Sequence, residues 1–330
     1  MVQKYLISSK YQNYSPAICK NCNFIRNFVS MIKLSILIPT YNDECLSMAR
    51  SLHSQCEAAG ADYEIIVADD GSNDDQTRQI NARVGRMEHC KYCRRDKNMG
   101  RSAIRNWLAE QAKGMWLLFI DASTTIPEGF VSRYLAHIGA ADVVVGGVAV
   151  RDGGNKTSLR WRYEHAKMKK HRASERNKHP YKSFRTTNFM VKKSVMLSHS
   201  LPMNVAGYGY EDVLWGKKLA QDGVSVRHID NPVYYDELES NTRYLQKLEE
   251  SMRTLLIHNA ELQGYSPLLS MATRLKKLGL MPAISGLYTL LGPALRTLLL
   301  NHQPPINVLQ LYKLLYYCHL SKQKKVPTSA

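Results

Sequence analysis

Acidic residues are scarce in this sequence, and the region after Glu261 contains none. The 330 residues include 28 Asp and Glu against 45 Lys and Arg, which gives a formal charge of +17. Eight Lys and Arg follow Glu261. This imbalance argues against a cationic partner and favours an anionic one, such as a nucleic acid, a membrane surface or a phosphorylated substrate.

Several local patterns are also missing. The first 30 residues lack a continuous apolar core, which argues against a secretory signal peptide. No helix-turn-helix, RNP-type or zinc-finger pattern accompanies the positive charge, so nucleic acid is the weakest of the three anionic partners. Two C-x-x-C pairs occur, but a zinc site needs four ligands that converge in space. We therefore interpret the seven cysteines as reduced thiols of a cytosolic protein.

Regular patterning begins after the first 30 residues. Residues 1–30 are polar and aperiodic and Met31 directly precedes an apolar strand, so 1–30 is expected to be an extension, either a disordered arm or a stretch ahead of the biological start. Over residues 31–235, apolar strands alternate with amphipathic helices, which predicts an α/β domain with a Rossmann-like, mostly parallel sheet and helices on both faces. Within it, 141–150 is predicted to be one buried strand, and 151–185 a basic, irregular and mobile insertion.

Three acidic motifs stand where a sheet of this kind binds ligands. They are Asp69-Asp70-Gly71-Ser72 after one apolar strand, Asp121-Ala122-Ser123 after another, and Glu211-Asp212 after the loop Gly207-Tyr208-Gly209-Tyr210. Open α/β sheets bind ligands at the carboxyl ends of their strands. Helix capping explains one acid of each pair but not the whole motif. Carboxylates at these positions are suited to hold a ligand, a metal or a proton.

Two further motifs suit a nucleotide. Pro39, Thr40 and Tyr41 end the first strand, where backbone amides and a hydroxyl can grip a nucleoside, although such residues are also ordinary turn formers. The segment NMGRSAIRN begins a helix after a glycine, with Arg101 and Arg105 one turn apart. A helix N-terminus with two guanidinium groups suits a diphosphate. A solvated basic helix face is the alternative.

In this order, the motifs resemble those of the family 2 glycosyltransferases of the GT-A fold. The resemblance is carried by LSILIPTYN, EIIVADDGSND, NMGRSAIRN, LLFIDAS and GYGYED, and it covers residues 33–235, about two thirds of the chain. It implies an inverting, hexosyltransferase-like enzyme. Such an enzyme moves a sugar from a nucleotide-diphosphate sugar to a hydroxyl of a glycan or lipid-linked acceptor, here in surface polysaccharide synthesis.

The resemblance also implies roles for individual residues. The Glu211-Asp212 pair would carry the catalytic base, which we assign to Asp212, and a segment like 185–196 would line the acceptor side. The nucleoside would be held by Pro39, Thr40, Tyr41, Asp69 and Asp70, and the ribose and the metal by Asp121. The diphosphate contacts of Arg101 and Arg105 are expected from the helix start itself.

Two positions depart from the family pattern of a Mg²⁺ or Mn²⁺ site. Ser123 stands where a second metal-binding aspartate is usual, and a hydroxyl is a poorer ligand for these cations. Tyr235 stands where a histidine ligand is expected, with His228 nearby as a substitute. The metal ligands would then be Asp121 with Ser123 and His228 as weaker candidates, and metal dependence itself is in question. The leaving diphosphate still needs positive charge, for which the sequence offers Arg101, Arg105 and the lysines of 167–182.

The C-terminal region, residues 236–330, is predicted to be helical, basic and apolar. Residues 268–280 place leucines and a methionine on one helical face with basic residues opposite. Residues 279–300 are apolar over a length that could span a membrane, but prolines, glycines and Arg296 interrupt them. We expect helices that pack on the domain and lie in a membrane interface. This would make the protein a cytoplasmic enzyme, peripheral on the inner face of an anionic membrane.

Two other functions fit part of the sequence. A sugar-nucleotide-binding pseudoenzyme, with weak or no catalysis, would account for Ser123 and Tyr235. A basic nucleic-acid-binding protein would account for the charge, but without a recognition motif we expect no nucleic-acid partner.

Overall fold

The computed structural model describes residues 33–205, 207–236, 238–301 and 305–323. The predicted extension, residues 1–30, lies outside these ranges. The strands within them are β1 Leu34–Thr40, β2 Tyr63–Asp69, β3 Cys90–Arg94, β4 Trp116–Ile120, β5 Val143–Val145, β6 Val148–Ala149, β7 Asn188–Lys192, β8 Val226–His228 and β9 Val233–Tyr234.

Seven of these strands form one sheet in the order β3-β2-β1-β4-β7-β5-β8. Neighbouring strands are parallel except at β7, which runs antiparallel to both β4 and β5. Every residue of β1, β2 and β4 is buried, which explains their nearly continuous apolar sequences, because helices cover both faces of the sheet. The predicted mostly parallel α/β sheet is confirmed.

Helices alternate with the strands and continue after the last one. In chain order they are α1 Leu46–Ala59, α2 Asp75–Ala82, α3 Arg101–Gln111, α4 Phe130–Leu135, α5 Leu159–Ala166, α6 Ala173–Arg176, α7 Lys193–Ser198, α8 Glu211–Gln221, α9 Asn241–Ile257, α10 Pro267–Lys277, α11 Met281–Leu300 and α12 Ile306–Gln323. Successive residues of β1 serve opposite faces: Ile36 shares a core with α1, and Leu37 shares the other core with α3.

The predicted single strand over 141–150 is wrong, because two glycines divide it. Gly147 has a φ of +91°, and a Cβ on Gly146 would lie 2.4 Å from the carbonyl oxygen of Asn231. The chain therefore leaves the main sheet after β5, and β6 pairs with β9 in a separate two-stranded sheet.

The basic segment 151–185 is also more regular than its composition indicated. It contains α5, a 3₁₀ helix at Met168–His171 and α6. Ser158 caps α5, since its hydroxyl accepts from the backbone N–H of Trp161. Glu164 of α5 is buried and lies 3.5 Å from a guanidinium nitrogen of Arg185. The prediction of an irregular segment is wrong, because helix capping and burial order it.

The four C-terminal helices, α9 to α12, form most of a third hydrophobic core, to which Leu159 of α5 also belongs. Glu249 of α9 joins three of them: it accepts from Arg296 of α11 at 3.0 Å and from the Tyr312 hydroxyl of α12 at 2.6 Å. The predicted helical character of this region is confirmed. Helix α12 lies within the region predicted to be helical, but its bounds were not predicted, because its apolar residues do not follow a single helical face.

Candidate active site

A cavity of about 390 Å³ lies at the carboxyl ends of β1, β2 and β4. These three strands are parallel neighbours, so the residues after them meet at one edge of the sheet. The cavity brings together eight of the residues predicted from the sequence: Pro39, Thr40, Tyr41, Asp70, Arg101, Arg105, Asp121 and Ser123.

The two acids after β2 have different surroundings. Asp69 is fully buried, and its two oxygens accept from the Ser72 backbone N–H and the Tyr92 hydroxyl, each at 2.7 Å. Asp70 lines the cavity and accepts from the backbone N–H of Gly100 at 2.8 Å. The expected nucleoside contact of Asp69 is therefore not supported, because Asp69 is fully buried and does not line the cavity.

Asp121 lies between two arginines of α3. Arg105 is almost fully buried; one guanidinium nitrogen donates to Asp121 and another donates to the Arg101 carbonyl at 2.9 Å. The Arg101 guanidinium lies 3.6 Å from Asp121 and 3.9 Å from Glu211. Arg101 therefore links the acid that follows β4 to the acid that begins α8.

The Glu211-Asp212 pair begins α8 after a loop of unusual backbone. Tyr210 has a φ of +70°, and Gly209 one of +90°. Glu211 lines a second cavity of about 560 Å³, which shares Arg101 and other residues with the first. Asp212 lines neither cavity. Burial, with the neighbouring Glu211 charge, raises the pKa of Asp212 to about 7, a value suited to a general base at neutral pH.

Sequence reasoning missed several residues of the cavity wall. Asp43 and Tyr208 are two of them, and Arg243 and Lys247 of α9 are two more. Arg243 and Lys247 are four residues apart, so they share one helical face. That spacing is visible in the sequence, but nothing in it indicates that this face meets the ends of β1 and β4.

The basic segment 151–185 adds a second set of side chains near Tyr235. The Arg160 guanidinium lies 3.9 Å from the centre of the Tyr235 ring. Burial raises the pKa of the Tyr235 phenol, so this hydroxyl stays protonated at neutral pH and is a poor ligand for a cation.

The residues at Asp121 do not fit a divalent metal. The carboxylate faces two guanidinium groups, and the neighbouring position is the hydroxyl of Ser123. His228 is elsewhere: one ring nitrogen is 2.6 Å from Arg176 and the other 2.8 Å from the Pro180 carbonyl oxygen. Within the described ranges, no group of three or more His, Cys, Asp or Glu is placed to hold a metal. The predicted His228 ligand is wrong, because the protein interior uses both of its nitrogens.

The C-x-x-C pairs do not form a site in the part of the chain that the structure describes. Cys90 and Cys93 belong to the hydrophobic cores on opposite faces of the sheet, as strand geometry requires for residues three apart. Cys19 and Cys22 lie outside the described residues.

Comparison with known proteins finds a family match for about half of this chain. Residues 35–198 match the family described as glycosyl transferase family 2. A PGL/p-HBAD biosynthesis glycosyltransferase of Mycobacterium bovis is 30% identical over 131 residues, which cover 38% of this chain and 49% of the relative. An undecaprenyl-phosphate 4-deoxy-4-formamido-L-arabinose transferase of Klebsiella pneumoniae is 29% identical over 119 residues, 35% of this chain and 36% of the relative.

A solved structure shows the fold over nearly the whole chain. The mannosyltransferase PcManGT of Pyrobaculum calidifontis, in complex with GDP-Man and Mn²⁺, superposes with a TM-score of 0.54 at 14% identity, covering 90% of this chain and 88% of that one. At this identity the likeness concerns the fold alone, and the predicted GT-A fold is confirmed. The chain spans less than half the length of the curated relatives that it matches.

Proposed function

Because residues 35–198 of this chain form a family 2 glycosyltransferase domain, we propose that the protein is an inverting glycosyltransferase. It moves a sugar from a nucleotide-diphosphate sugar to a hydroxyl of a glycan or lipid-linked acceptor, in surface polysaccharide synthesis. The observation that carries this proposal is the cavity at the strand ends, where Asp70, Asp121 and two arginines of α3 lie together.

The chemistry requires one base and a stabilised leaving group. Asp212 accepts the proton of the acceptor hydroxyl, and the hydroxyl oxygen bonds to the anomeric carbon of the donor. The bond from that carbon to the diphosphate breaks on the opposite face, and the nucleoside diphosphate leaves with the electron pair. Arg101 and Arg105 offset the negative charge that develops on it.

Different observations favour Glu211 and Asp212 as the catalytic base. Glu211 lines the cavity beside Arg101, and Asp212 has the raised pKa. We assign the base to Asp212, because a carboxyl with a pKa near 7 is suited to take a proton at neutral pH. Glu211 then orients Arg101 and contacts the acceptor.

A lipid-linked acceptor is favoured by the C-terminal helices. Helix α11 is long and apolar enough to cross a membrane by length and composition, and only 17% of its most apolar window is buried. Its Arg296 is tied to Glu249 of α9, which favours a helix that lies along the protein over a separate span. We propose peripheral association with an anionic membrane, since α10 ends in the basic residues Arg274, Lys276 and Lys277.

Nucleotide binding tests this function. Thermal unfolding would be recorded with UDP, GDP, CDP and dTDP, each in EDTA and in Mn²⁺. We expect one nucleoside diphosphate to raise the Tm of the wild type, and Asp70→Ala to remove most of the effect. If no nucleotide shifts the Tm, the proposal is wrong. If one binds but its sugar conjugate is never turned over with any acceptor, the protein is a sugar-nucleotide-binding pseudoenzyme.

A further inference from the structure

Helix α9 lies outside the segment matched to the family, yet it forms part of the wall of the nucleotide cavity. We infer that Arg243 and Lys247 of α9 bind the donor diphosphate and supply, together with the arginines of α3, the positive charge that a divalent metal would otherwise provide. This inference rests on the proposed function, because it assigns the diphosphate to this cavity.

Geometry places the two α9 cations around the same space as the α3 arginines. Tyr208 is near one cation of each helix: the Arg101 guanidinium is 5.1 Å from the centre of its ring and the Lys247 ammonium is 5.7 Å from it. Burial raises the pKa of Asp43, and the charge of Lys247 partly opposes this rise. The Lys247 ammonium group is therefore close enough to act on a carboxyl near the end of β1. The cations that line the cavity therefore come from two helices, and one cation of each helix lies near the same aromatic ring.

The charges that line this cavity favour an anion. Three carboxylates and four cations face it, and the carboxylates are Asp43, Asp70 and Asp121. Two of these are already compensated inside the protein, Asp70 by backbone N–H groups and Asp121 by Arg105. Arg243 and Lys247 add two cations to those of α3, and guanidinium and ammonium groups are the usual partners of phosphate oxygens. Arg101 also contacts Asp121 and Glu211, so a phosphate would compete with these carboxylates for its guanidinium group.

Helix α9 is held firmly enough to serve as a binding element. The glycine-rich loop before Glu211 packs against it, since a Cβ on Gly209 would lie 3.0 Å from the Ser251 side chain. Glu249 joins the opposite side of the helix to α11 and α12. Lys247 contacts Glu239, so a diphosphate would compete with that carboxylate for the ammonium group.

The test is calorimetric titration of the full chain in EDTA with the nucleoside diphosphate found above and with its monophosphate. We expect Arg243→Ala and Lys247→Ala each to weaken diphosphate binding about tenfold, because a charge-assisted hydrogen bond is worth about one decade or more in affinity. Monophosphate binding should change much less. Lys247→Arg, which keeps the charge, should retain most of the diphosphate affinity.

Arg253→Ala is the matched control. Arg253 lies on the same helix and is exposed, but it stacks 5.8 Å from the Tyr316 ring instead of lining the cavity. The inference is overturned if Arg243→Ala and Lys247→Ala bind the diphosphate as the wild type does, or if Arg253→Ala weakens it equally. The proposed function fails separately, if Asp70→Ala leaves nucleotide binding unchanged. A circular-dichroism melt of each variant verifies that it is folded.

Discussion

The Asp121 carboxylate contacts two arginines. A carboxylate that binds a metal would instead lie beside other acids or histidines. Arg105 is buried, so its charge needs Asp121 as a partner, and breaking such a pair is costly. A metal at this position would have to displace a guanidinium group. Ser123 offers little in exchange, since a hydroxyl does not balance a divalent charge.

Weak metal dependence follows from this arrangement. We expect Mn²⁺ to change nucleotide affinity of the wild type little, and Ser123→Asp to introduce a Mn²⁺-dependent gain of about tenfold, because it restores a second carboxylate. Titration calorimetry in EDTA and in Mn²⁺ measures both, with Ser123→Asn as the uncharged control. Complete loss of wild-type activity in EDTA, restored by micromolar Mn²⁺, would contradict the prediction.

Asp212→Asn separates catalysis from binding. We expect the substitution to lower kcat about 10²- to 10⁴-fold, the usual contribution of a general base, while nucleotide affinity stays near that of the wild type. Glycosyl-transfer assays measure kcat, and titration calorimetry measures the nucleotide affinity. Glu211→Gln is the paired variant: if it abolishes transfer and Asp212→Asn does not, Glu211 is the base.

The raised pKa of Asp212 also has a signature in pH. The wild-type rate should rise with pH through about 7, as Asp212 becomes ionised. The same group should cost stability, because the folded protein keeps the proton up to about pH 7 while the unfolded chain releases it near the ordinary value of 3.8. The free energy of unfolding therefore decreases as the pH rises from about 4 to 7. We expect Asp212→Asn to have a higher Tm than the wild type at pH 8, by a few degrees, and an equal one at pH 4.

At the scale of elements, the loop before α8 depends on α9 for its conformation. Gly207 and Gly209 both have positive φ and both face α9 side chains, and Glu211 begins α8 after Tyr210. The acids of α8 and the cations of α9 are therefore positioned by one contact between two elements. The sequence showed the glycine-rich loop but not its partner.

Gly209→Ala tests that contact. Its φ of +90° strains any side chain, and the new Cβ would lie 3.0 Å from Ser251. We therefore expect the free energy of unfolding to fall by about 1–2 kcal/mol. We also expect kcat to fall by more than in a variant that has the backbone strain alone. Gly264→Ala is the matched control, because its φ of +78° imposes similar strain with nothing within 4 Å. Equal kcat in the two variants would show that the loop–α9 contact has no catalytic effect.

At the scale of the whole molecule, exposed apolar side chains concentrate on the C-terminal helices. Leu290 is 76% exposed and Leu278 is 70% exposed, and Leu287, Leu291 and Leu298 of α11 are also exposed. Basic residues at the end of α10 lie beside them in the sequence. Such a combination suits binding to an anionic lipid surface, where charge and apolar burial both contribute.

Vesicle co-sedimentation tests this association. We expect binding to vesicles of phosphatidylglycerol and phosphatidylcholine that high salt partly releases. Leu290→Glu should weaken this binding about tenfold, because it removes an exposed leucine that the membrane would bury. Leu197→Glu is the control, since Leu197 is 50% exposed on α7 of the catalytic domain. Equal binding of the two variants, or none by the wild type at low salt, would rule out the C-terminal membrane surface.

The sequence by itself determined the sheet, most of its helices and the acidic motifs at the strand ends. These depend on local periodicity: β1, β2 and β4 are apolar throughout because both of their faces are buried, and the residues after parallel strands must meet at one edge. The family resemblance required no more than the order of those motifs.

Only the tertiary structure decided which side chains reach the cavity. Asp69 and Asp70 are adjacent, but one is used by the core and the other faces the ligand space. His228 is near Tyr235 in sequence, yet Arg176 and Pro180 occupy its nitrogens. Lys247 lies near the end of β1 because α9 packs against the loop before α8 and against α5. Such convergence depends on the relative placement of distant elements, which local sequence patterns do not encode.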